Sequence, residues 1–491
     1  MNSTSITFVQ LNDLHGQLLP HPELFWDAGR PILRQHFGGL AKVTTWIKQR
    51  KARDPSHTLV VDCGDAFFGS YFTHIEQGRA IAELLNSVGI DASNGGHWEY
   101  FYGPKRFLEL ASLLQYPLYA VNIYEKASHQ RIFSPYGIFE RAGIRVAVFG
   151  LAATIVDESM PPSFSENLLF TDGLADDELP ALIAQAREQA DLICLSSHMG
   201  LPQDIAIAKR IPGIDVILSG HTHDRLTQPV IVPTNKGSGQ TIVIQSGFSG
   251  SFIGELTLNF TPSEAGITIS SIAHQLHRID EEVSPDAHMQ HEIDKLYDAH
   301  REKLNEPLGE TQCDLHRMLT FETPMDNLIL LSMQDACAAD IYVARAWRFG
   351  PPKSKGMLYE RDLWDMVPMK VNLFTSAIQG STLLAAAEAW LTSVMTTPLK
   401  QQGGYVTRQL GAHIIVRINN PDGFRIEAMY VGDQPIDLQR MYWVVIAGDQ
   451  VKQHLSGEWT PLELDLHTVI RNNLRKGPIN AGLTHDKWIL S

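Results

Sequence analysis

The sequence predicts an α/β protein in two domains, and three observations carry that reading. Short apolar runs, Ile6 to Leu11, Leu59 to Val61, Leu192 to Leu195 and Asp215 to Leu218, alternate with helical patterns over residues 1–280, as strands and helices do in a layered α/β domain. Each run leads at once into a polar motif bearing Asp or His: Asp13-Leu14-His15, Gly64-Asp65, Ser197-His198-Met199-Gly200, and Gly220-His221-Thr222-His223. The chain is 491 residues long, more than one hydrophobic core usually serves, so a second domain follows the first.

Taken in order, Gly38-Gly39-Leu40-Ala41 opens a helix through Lys51 whose basic residues are expected to face solvent. Ile81 to Val88 reads as another helix, and Arg145 to Gly150 and Thr241 to Gln245 as buried strands. Residues 281–306 are polar and charged, and read as a helix linking the domains with His288, His291 and His300 solvated. The second domain spans 307–491, with a helical run around Asp326-Asn327-Leu328, where Asp326 suits an N-cap. No internal repeat or low-complexity segment interrupts the chain.

The chemistry is concentrated around Ser93-Asn94-Gly95-Gly96-His97-Trp98-Glu99-Tyr100-Phe101-Tyr102-Gly103. Alone, this is a glycine-rich turn with a buriable aromatic. With Asp13, His15, Asp65, His198, His221 and His223 it becomes the middle of a ligand series. Side chains just past the carboxyl ends of parallel strands converge in one crevice. Carboxylate oxygen with imidazole nitrogen and no thiolate suits manganese, iron or zinc rather than a structural cysteine site. One carboxylate can bridge two ions about 3.5–4 Å apart, and such a pair holds a hydroxide and clamps an oxyanion.

Composition narrows the partners. A net charge of −15 argues against nucleic acid and against anionic membrane surfaces. No run of about 18 apolar residues suggests a transmembrane helix. The start, Met1-Asn2-Ser3-Thr4-Ser5, shows no secretory pattern, which reads as cytoplasmic, or as periplasmic if a leader has been removed. Four cysteines, Cys63, Cys194, Cys313 and Cys337, are too few for a disulfide framework. Cys63 and Cys194 read as small buried hydrophobes, with a redox or substrate role for Cys63 as the alternative.

The order of motifs resembles the calcineurin-like metallophosphoesterases, and within them the 5′-nucleotidase superfamily. That resemblance implies a four-layer α/β/β/α metallophosphoesterase domain followed by an α+β 5′-nucleotidase-type domain that binds substrate. It implies two divalent ions, one on Asp13, His15, Asp65 and His223 and the other on Asp65, His97, His198 and His221. The central motif departs from the nucleotidases: His97 stands where they carry an Asn ligand, Trp98 where they carry the catalytic His, and Phe101 where they carry the Asp that orients it. Gly96-His97-Trp98-Glu99-Tyr100-Phe101-Tyr102-Gly103 is closest to the Sox thiosulfohydrolase branch of bacterial sulfur oxidation, which implies manganese, with zinc or iron as alternatives. In the second domain, Gln401-Gln402-Gly403-Gly404-Tyr405 resembles the same branch. Trp347-Arg348-Phe349-Gly350 resembles a loop that supplies an Arg to the substrate anion. Arg348 and Arg408 are therefore anion-binding candidates, with surface salt bridges as the alternative, and together with Trp98 and Glu99 they form the expected catalytic set.

Three functions remain in view. The Sox-like reading is hydrolysis of a cysteine S-thiosulfonate carried on a small sulfur-carrier protein, a hydroxide held by the metal pair attacking the terminal sulfur. A site without the His-Asp pair suits this reaction, because a thiol, with a reference pKa of about 8.5, leaves more readily than an alkoxide, and a persulfide more readily still. The alternative is a 5′-nucleotidase or other phosphoesterase acting on a small phosphate ester. Val406 and Val451 fall near the positions of the nucleotidases' base-stacking aromatics and weaken that reading, although Tyr405 or Trp443 could substitute. The third is a metal-binding protein without turnover, against which the retained ligand set argues.

Overall fold

The computed structural model of the chain describes residues 4–158, 160–234, 239–263, 266–397, 399 and 405–491, so the Gln401-Gln402-Gly403-Gly404 run lies outside the described residues. The chain packs as two compact units. Met1–His21 and Gln35–Ala299 form one; Pro22–Arg34 and His300–Ser491 form the other. The stretch read as one linking helix is two helices, Ala287–Asp298 and Arg301–Leu304, with the division between the units falling between them. Among the described residues, no helix is long and apolar enough to cross a membrane.

The first unit is built on two six-stranded sheets. In spatial order, one contains Gly266–Arg278, Phe252–Ser263, Thr4–Leu11, Thr58–Asp62, Ala92–Asn94 and Leu118–Tyr119. The other contains Val230–Pro233, Gln240–Ile244, Val216–Ser219, Leu192–Ser197, Ile144–Leu151 and Tyr136–Arg141. The sheets are mixed: Thr4–Leu11 runs parallel to Thr58–Asp62 but antiparallel to Phe252–Ser263, and Leu192–Ser197 runs parallel to both its neighbours. Their inner faces share one core, where Ile6, Phe8, Leu59 and Val61 meet Val146, Val148, Cys194 and Leu218. Fully burying each large aliphatic side chain there contributes about 1.5–3 kcal/mol. The outer face of the second sheet packs Phe149, Ile193 and Ile217 against Ile183 of helix Leu179–Arg187 and Ile207 of helix Leu201–Arg210. The four apolar runs of the sequence are thus central parallel strands, two in each sheet, and the ligand-bearing loops leave their carboxyl ends.

Helix Leu40–Arg53 corrects one expectation. Lys42 does not face solvent; it is buried, and its Nζ donates to the carbonyls of His36 and Asp280, each at 2.8 Å. Cys63 and Cys194 are fully buried, and burial pushes both thiols well up, for Cys63 despite hydrogen bonds from Ser196 and Gln10 that act the other way.

The second unit carries a five-stranded sheet, ordered Arg408–Leu410, Ile341–Ala344, Met441–Ala447, Asn372–Gln379 and Thr460–Asp465. A four-stranded sheet runs Gln434–Pro435, Ile426–Val431, Ala412–Val416 and Trp488–Leu490. Helix Gly380–Met395 places Leu383, Ala387 and Leu391 in a core shared with Val343, Val444, Ile414, Val406 and Val451. Both valines at the positions expected of base-stacking aromatics are therefore core residues, 0% and 5% exposed.

Candidate metal centre

The loops at the strand ends bend sharply. Asp13, His15, Asp65, His221 and His223 all have positive φ, between 50° and 73°. Such conformations cost non-glycine residues of order 1–3 kcal/mol each and cluster at functional sites. Gly96 permits the closest approach: a Cβ there would stand 2.2 Å from Asp65 Oδ1, so no larger residue fits without moving the carboxylate.

The bends bring two groups of donors together. One ligand atom from each of Asp65, His97, His198 and His221 lies within 4.8 Å of the others, and the same holds for Asp13, His15 and His223. Asp65 stands between the groups. Its Oδ1 accepts from the backbone N–H of His97 and of Trp98, both at 2.9 Å, which turns Oδ2 toward His97 Nδ1 and His198 Nε2, each 3.0 Å away, with His15 Nε2 at 4.0 Å. Asp13 is held similarly. Its Oδ2 accepts from Asn12 Nδ2 at 2.8 Å and from the His221 N–H at 2.9 Å, and its Oδ1 faces His223 Nε2 at 3.3 Å.

Two imidazoles are oriented from behind. His15 Nδ1–H donates to the Phe68 carbonyl at 3.1 Å and His198 Nδ1–H to the Cys63 carbonyl at 2.7 Å, so both present Nε2 inward. Backbone carbonyls in this role fix the tautomer of a ligating histidine.

Electrostatics agree with a cation site. Burial raises Asp13, but His223 and His198 outweigh it and bring the carboxyl down to about 2; Asp65 is likewise held well below the ordinary range, chiefly by His198 and His97 against its own burial. Burial disfavours the His198 imidazolium, yet Asp65 and Asp13 lift it to about 10, while burial draws His15 down to about 4. Two ionised, fully buried carboxylates that recruit a histidine proton as counter-charge suit a divalent cation, which would supply that charge instead. The donor set, hard oxygen and imidazole without thiolate, fits a pair of such ions.

Comparison with known proteins bears on the same residues. Residues 6–225 match the model of the calcineurin-like phosphoesterases, and residues 303–449 match that of the 5′-nucleotidase C-terminal domain. The chain carries an N-terminal calcineurin-like phosphoesterase domain and a 5′-nucleotidase C-terminal domain. It thereby belongs to a family of metal-dependent hydrolases. The probable 5′-nucleotidase of Treponema pallidum is 30% identical over 54% of this chain and 46% of its own length. This chain spans less than half the length of the first curated relatives it matches. Among solved structures, the sulfate thiohydrolase SoxB of Thermus thermophilus, in complex with glycerol, superposes with a TM-score of 0.88 at 24% identity, over 99% of this chain and 96% of that one. A 5′-nucleotidase precursor from Thermus thermophilus superposes at 0.85 with 20% identity, over 99% of both chains. At these identities the superpositions show the fold alone.

Within this calcineurin-like fold, the seven residues proposed as ligands come together, and the four proposed as catalytic fare differently. Glu99 is 2% exposed and does not point at a reacting group. Its Oε1 accepts from the Ala66 N–H at 2.7 Å and its Oε2 from the Gly96 N–H at 2.9 Å, so it ties the Asp65 loop to the His97 loop. Trp98 begins a one-turn helix, Trp98–Tyr100, and is 6% exposed. Its indole stacks on Phe68 at 4.7 Å and 16°, with the ring of Phe164 at 6.3 Å, while His97 lies 5.2 Å away on the side of the metal centre. It is a packed residue that borders the centre, not a freely exposed wall.

Arg408 is a correction. It is 2% exposed; its Nε donates to Asp326 Oδ2 at 2.7 Å, and its Nη1 and Nη2 donate to the carbonyls of Thr320 and Leu319 at 2.7 and 2.8 Å. Arg317 Nε pairs with Asp326 Oδ1 at 3.0 Å from the other side. The charge is spent inside a buried Arg-Asp-Arg triad and offers nothing to a substrate. Asp326 lies in the first turn of helix Pro324–Ala336, but the N-cap is Thr323, whose side chain accepts from the Asp326 N–H. Arg348 lies in the second unit, in the loop after strand Ile341–Ala344, between the buried Trp347 and Phe349.

Sequence reading missed the supports. Gln245 Oε1 accepts from Thr222 Oγ1 at 3.1 Å, and its Nε2 donates to Ser219 Oγ at 2.9 Å and to the Gly220 carbonyl at 2.6 Å, which holds the Gly220-His221-Thr222-His223 turn. Asn12 bonds Asp13 directly and also donates to the Gly247 carbonyl at 2.6 Å. Adjacency to Asp13 marked Asn12; nothing in the local pattern marked Gln245.

Proposed function

We propose that this enzyme hydrolyses a substrate whose leaving group departs without a donated proton, and that this substrate is a cysteine S-thiosulfonate. The carrying observation is Trp98. The position after His97 holds an indole packed on Phe68 and Phe164, and Phe101, whose ring lies 4.1 Å from Phe68, occupies the place of an orienting carboxylate. Neither residue donates a proton of useful acidity. Positioned acids contribute about 10²–10⁴-fold to expelling a poor leaving group, so their lack costs most with alkoxides and least with persulfides.

When bound, two divalent ions would supply Lewis acidity and hydroxide at neutral pH. The chain's own residues set the geometry. Backbone donors from His97 and Trp98 fix Asp65, Glu99 locks the two loops together, and the Phe68 and Cys63 carbonyls aim His15 and His198. In the net reaction, the bond between the persulfide sulfur and the sulfonate sulfur breaks, a sulfur–oxygen bond to water forms, sulfate departs and the persulfide leaves as the anion. The aromatic edge of the centre suits a sulfur chain, since sulfur–aromatic contacts contribute roughly 0.3–1.5 kcal/mol. The reading carries a small carrier protein with a modified cysteine as partner, manganese as the metal, Arg348 as a candidate for the substrate anion, and a periplasmic location if a leader is removed.

A second reading, 5′-nucleotidase or another phosphoesterase, is favoured by the names of the curated relatives. Against it stand the buried Val406 and Val451. The test is to supply the manganese-loaded enzyme with a cysteine S-thiosulfonate peptide and with nucleoside monophosphates, and to follow sulfate and phosphate release. Sulfate release exceeding phosphate release by at least about tenfold in kcat/KM supports the proposal; the reverse order establishes the phosphoesterase.

A further inference from the structure

His223 differs from the other histidines of the centre that have a described outer contact. Its Nε2 faces inward, 3.3 Å from Asp13 Oδ1 and 3.1 Å from His15 Nε2. Its outer nitrogen, Nδ1, is buried and makes no hydrogen bond among the described residues. His15 and His198 each have a backbone carbonyl there. Instead, the His223 ring lies flat on Phe248, centroids 4.7 Å apart and planes within 6°. Phe248 is 1% exposed and sits in a short strap that touches both ligand loops: the Gly247 N–H donates to the Asp224 carbonyl at 2.8 Å, and the Ser249 N–H donates to the Asp13 carbonyl at 2.8 Å. Ser249 has φ of 55°, so the strap is bent to reach its place.

We infer that Phe248 is the positioning residue of His223, and that ring stacking does for this ligand what a carbonyl hydrogen bond does for His15 and His198. This rests on the metal-centre reading above. Two consequences follow from the geometry. On its outer side, rotation of the His223 ring is opposed by contact with one flat face and not by a directional bond, so that outer support is present only while an aromatic ring is. Phe248 stacks on His223, which belongs with Asp13 and His15, so its loss acts on that group and leaves the group of Asp65, His97, His198 and His221 as it is.

The test is equilibrium metal binding, with no dependence on turnover. The full chain is stripped with chelator and titrated with Mn²⁺, for wild type, Phe248→Leu and Phe248→Tyr, and the thermal midpoint of each metal-free protein is recorded. Losing an outer-sphere support typically costs about 10–100-fold in metal affinity. Phe248→Leu is expected to weaken one of two binding steps by that factor and leave the other within about threefold, while Phe248→Tyr, which keeps the ring, retains both. Equal weakening of both steps, together with a fall in the metal-free midpoint, would make Phe248 a general core residue and overturn the inference. Wild-type affinities in Phe248→Leu would also overturn it. Fewer than two equivalents in the wild type would instead sink the dinuclear reading on which it depends.

Discussion

Replacing Asp326 with Asn tests whether Arg408 is a structural or a substrate-binding residue. The change keeps the volume and removes the charge. Two guanidinium groups, Arg317 and Arg408, would then share a buried site with no counter-ion, their bonds of 3.0 and 2.7 Å to the carboxylate gone or reversed in polarity. Thr323 Oγ1, which donates to Asp326 Oδ2 at 2.7 Å, would lose its acceptor if the amide nitrogen took that place. Breaking a buried pair by removing one partner costs about 3–5 kcal/mol. In a unit of about 200 residues, where 1 kcal/mol moves the midpoint about 2–4 °C, Tm falls by about 6–20 °C. The assay is thermal and urea unfolding of the full chain, followed by far-UV circular dichroism. The pH dependence has a definite sign. Burial raises the Asp326 carboxyl, but Arg408 and Arg317 outweigh it, so its folded value is depressed. The stabilisation is therefore fully present above the unfolded carboxylate value of about 3.9 and is lost as pH falls through the lower folded value. The gap between wild type and Asp326→Asn should stay constant from about pH 5 to 8 and close in acid. A loss below about 1 kcal/mol, or an Arg408→Met variant with unchanged stability and a raised KM for substrate, would refute the structural assignment.

Elemental analysis of protein purified without chelator should find near two equivalents of transition metal, and Asp65→Asn should lower the content by more than one, because Oδ2 faces both donor groups. Steady-state kinetics on nucleoside monophosphates with manganese should give kcat/KM below about 10⁴ M⁻¹s⁻¹, the low end of the usual enzyme range; a value above it would favour the nucleotidase. The double change Trp98→His with Phe101→Asp should raise activity on alkyl relative to aryl phosphates, but it also shrinks one ring of the Phe68 cluster and deletes another, and large aromatic losses from cores cost about 3–5 kcal/mol. A folded, metal-loaded double variant with an unchanged alkyl-to-aryl ratio would show that Trp98 does not border the leaving group. Glu99→Ala should reduce metal content without touching a ligand, since the Ala66 and Gly96 N–H groups lose their shared acceptor; full retention in elemental analysis would sink that role.

The α/β class and the seven donors of the centre were legible in the sequence, because both are local. A buried strand announces itself by an apolar run, and a loop at its end by Gly, Asp and His in short motifs. No single motif sufficed; Asp13, Asp65, His97 and His198 stood out because their motifs follow one another in this order after short apolar runs. What the tertiary structure decided is everything that depends on which groups meet. The apolar runs read the same whether they lie in one sheet or two, and only packing divides them between two sheets sharing a core. A charged residue in a motif-like loop reads as exposed until its partners are known: Arg408 and Lys42 turned inward because a distant carboxylate or pair of carbonyls was there to receive them. Glu99 looked catalytic beside His97, yet two backbone N–H groups made it a tie between loops. Gln245 and Phe248 carried no signal because their role depends on contact with residues about twenty-five positions away in the chain, and contact at that separation is settled by the fold and not by the local pattern.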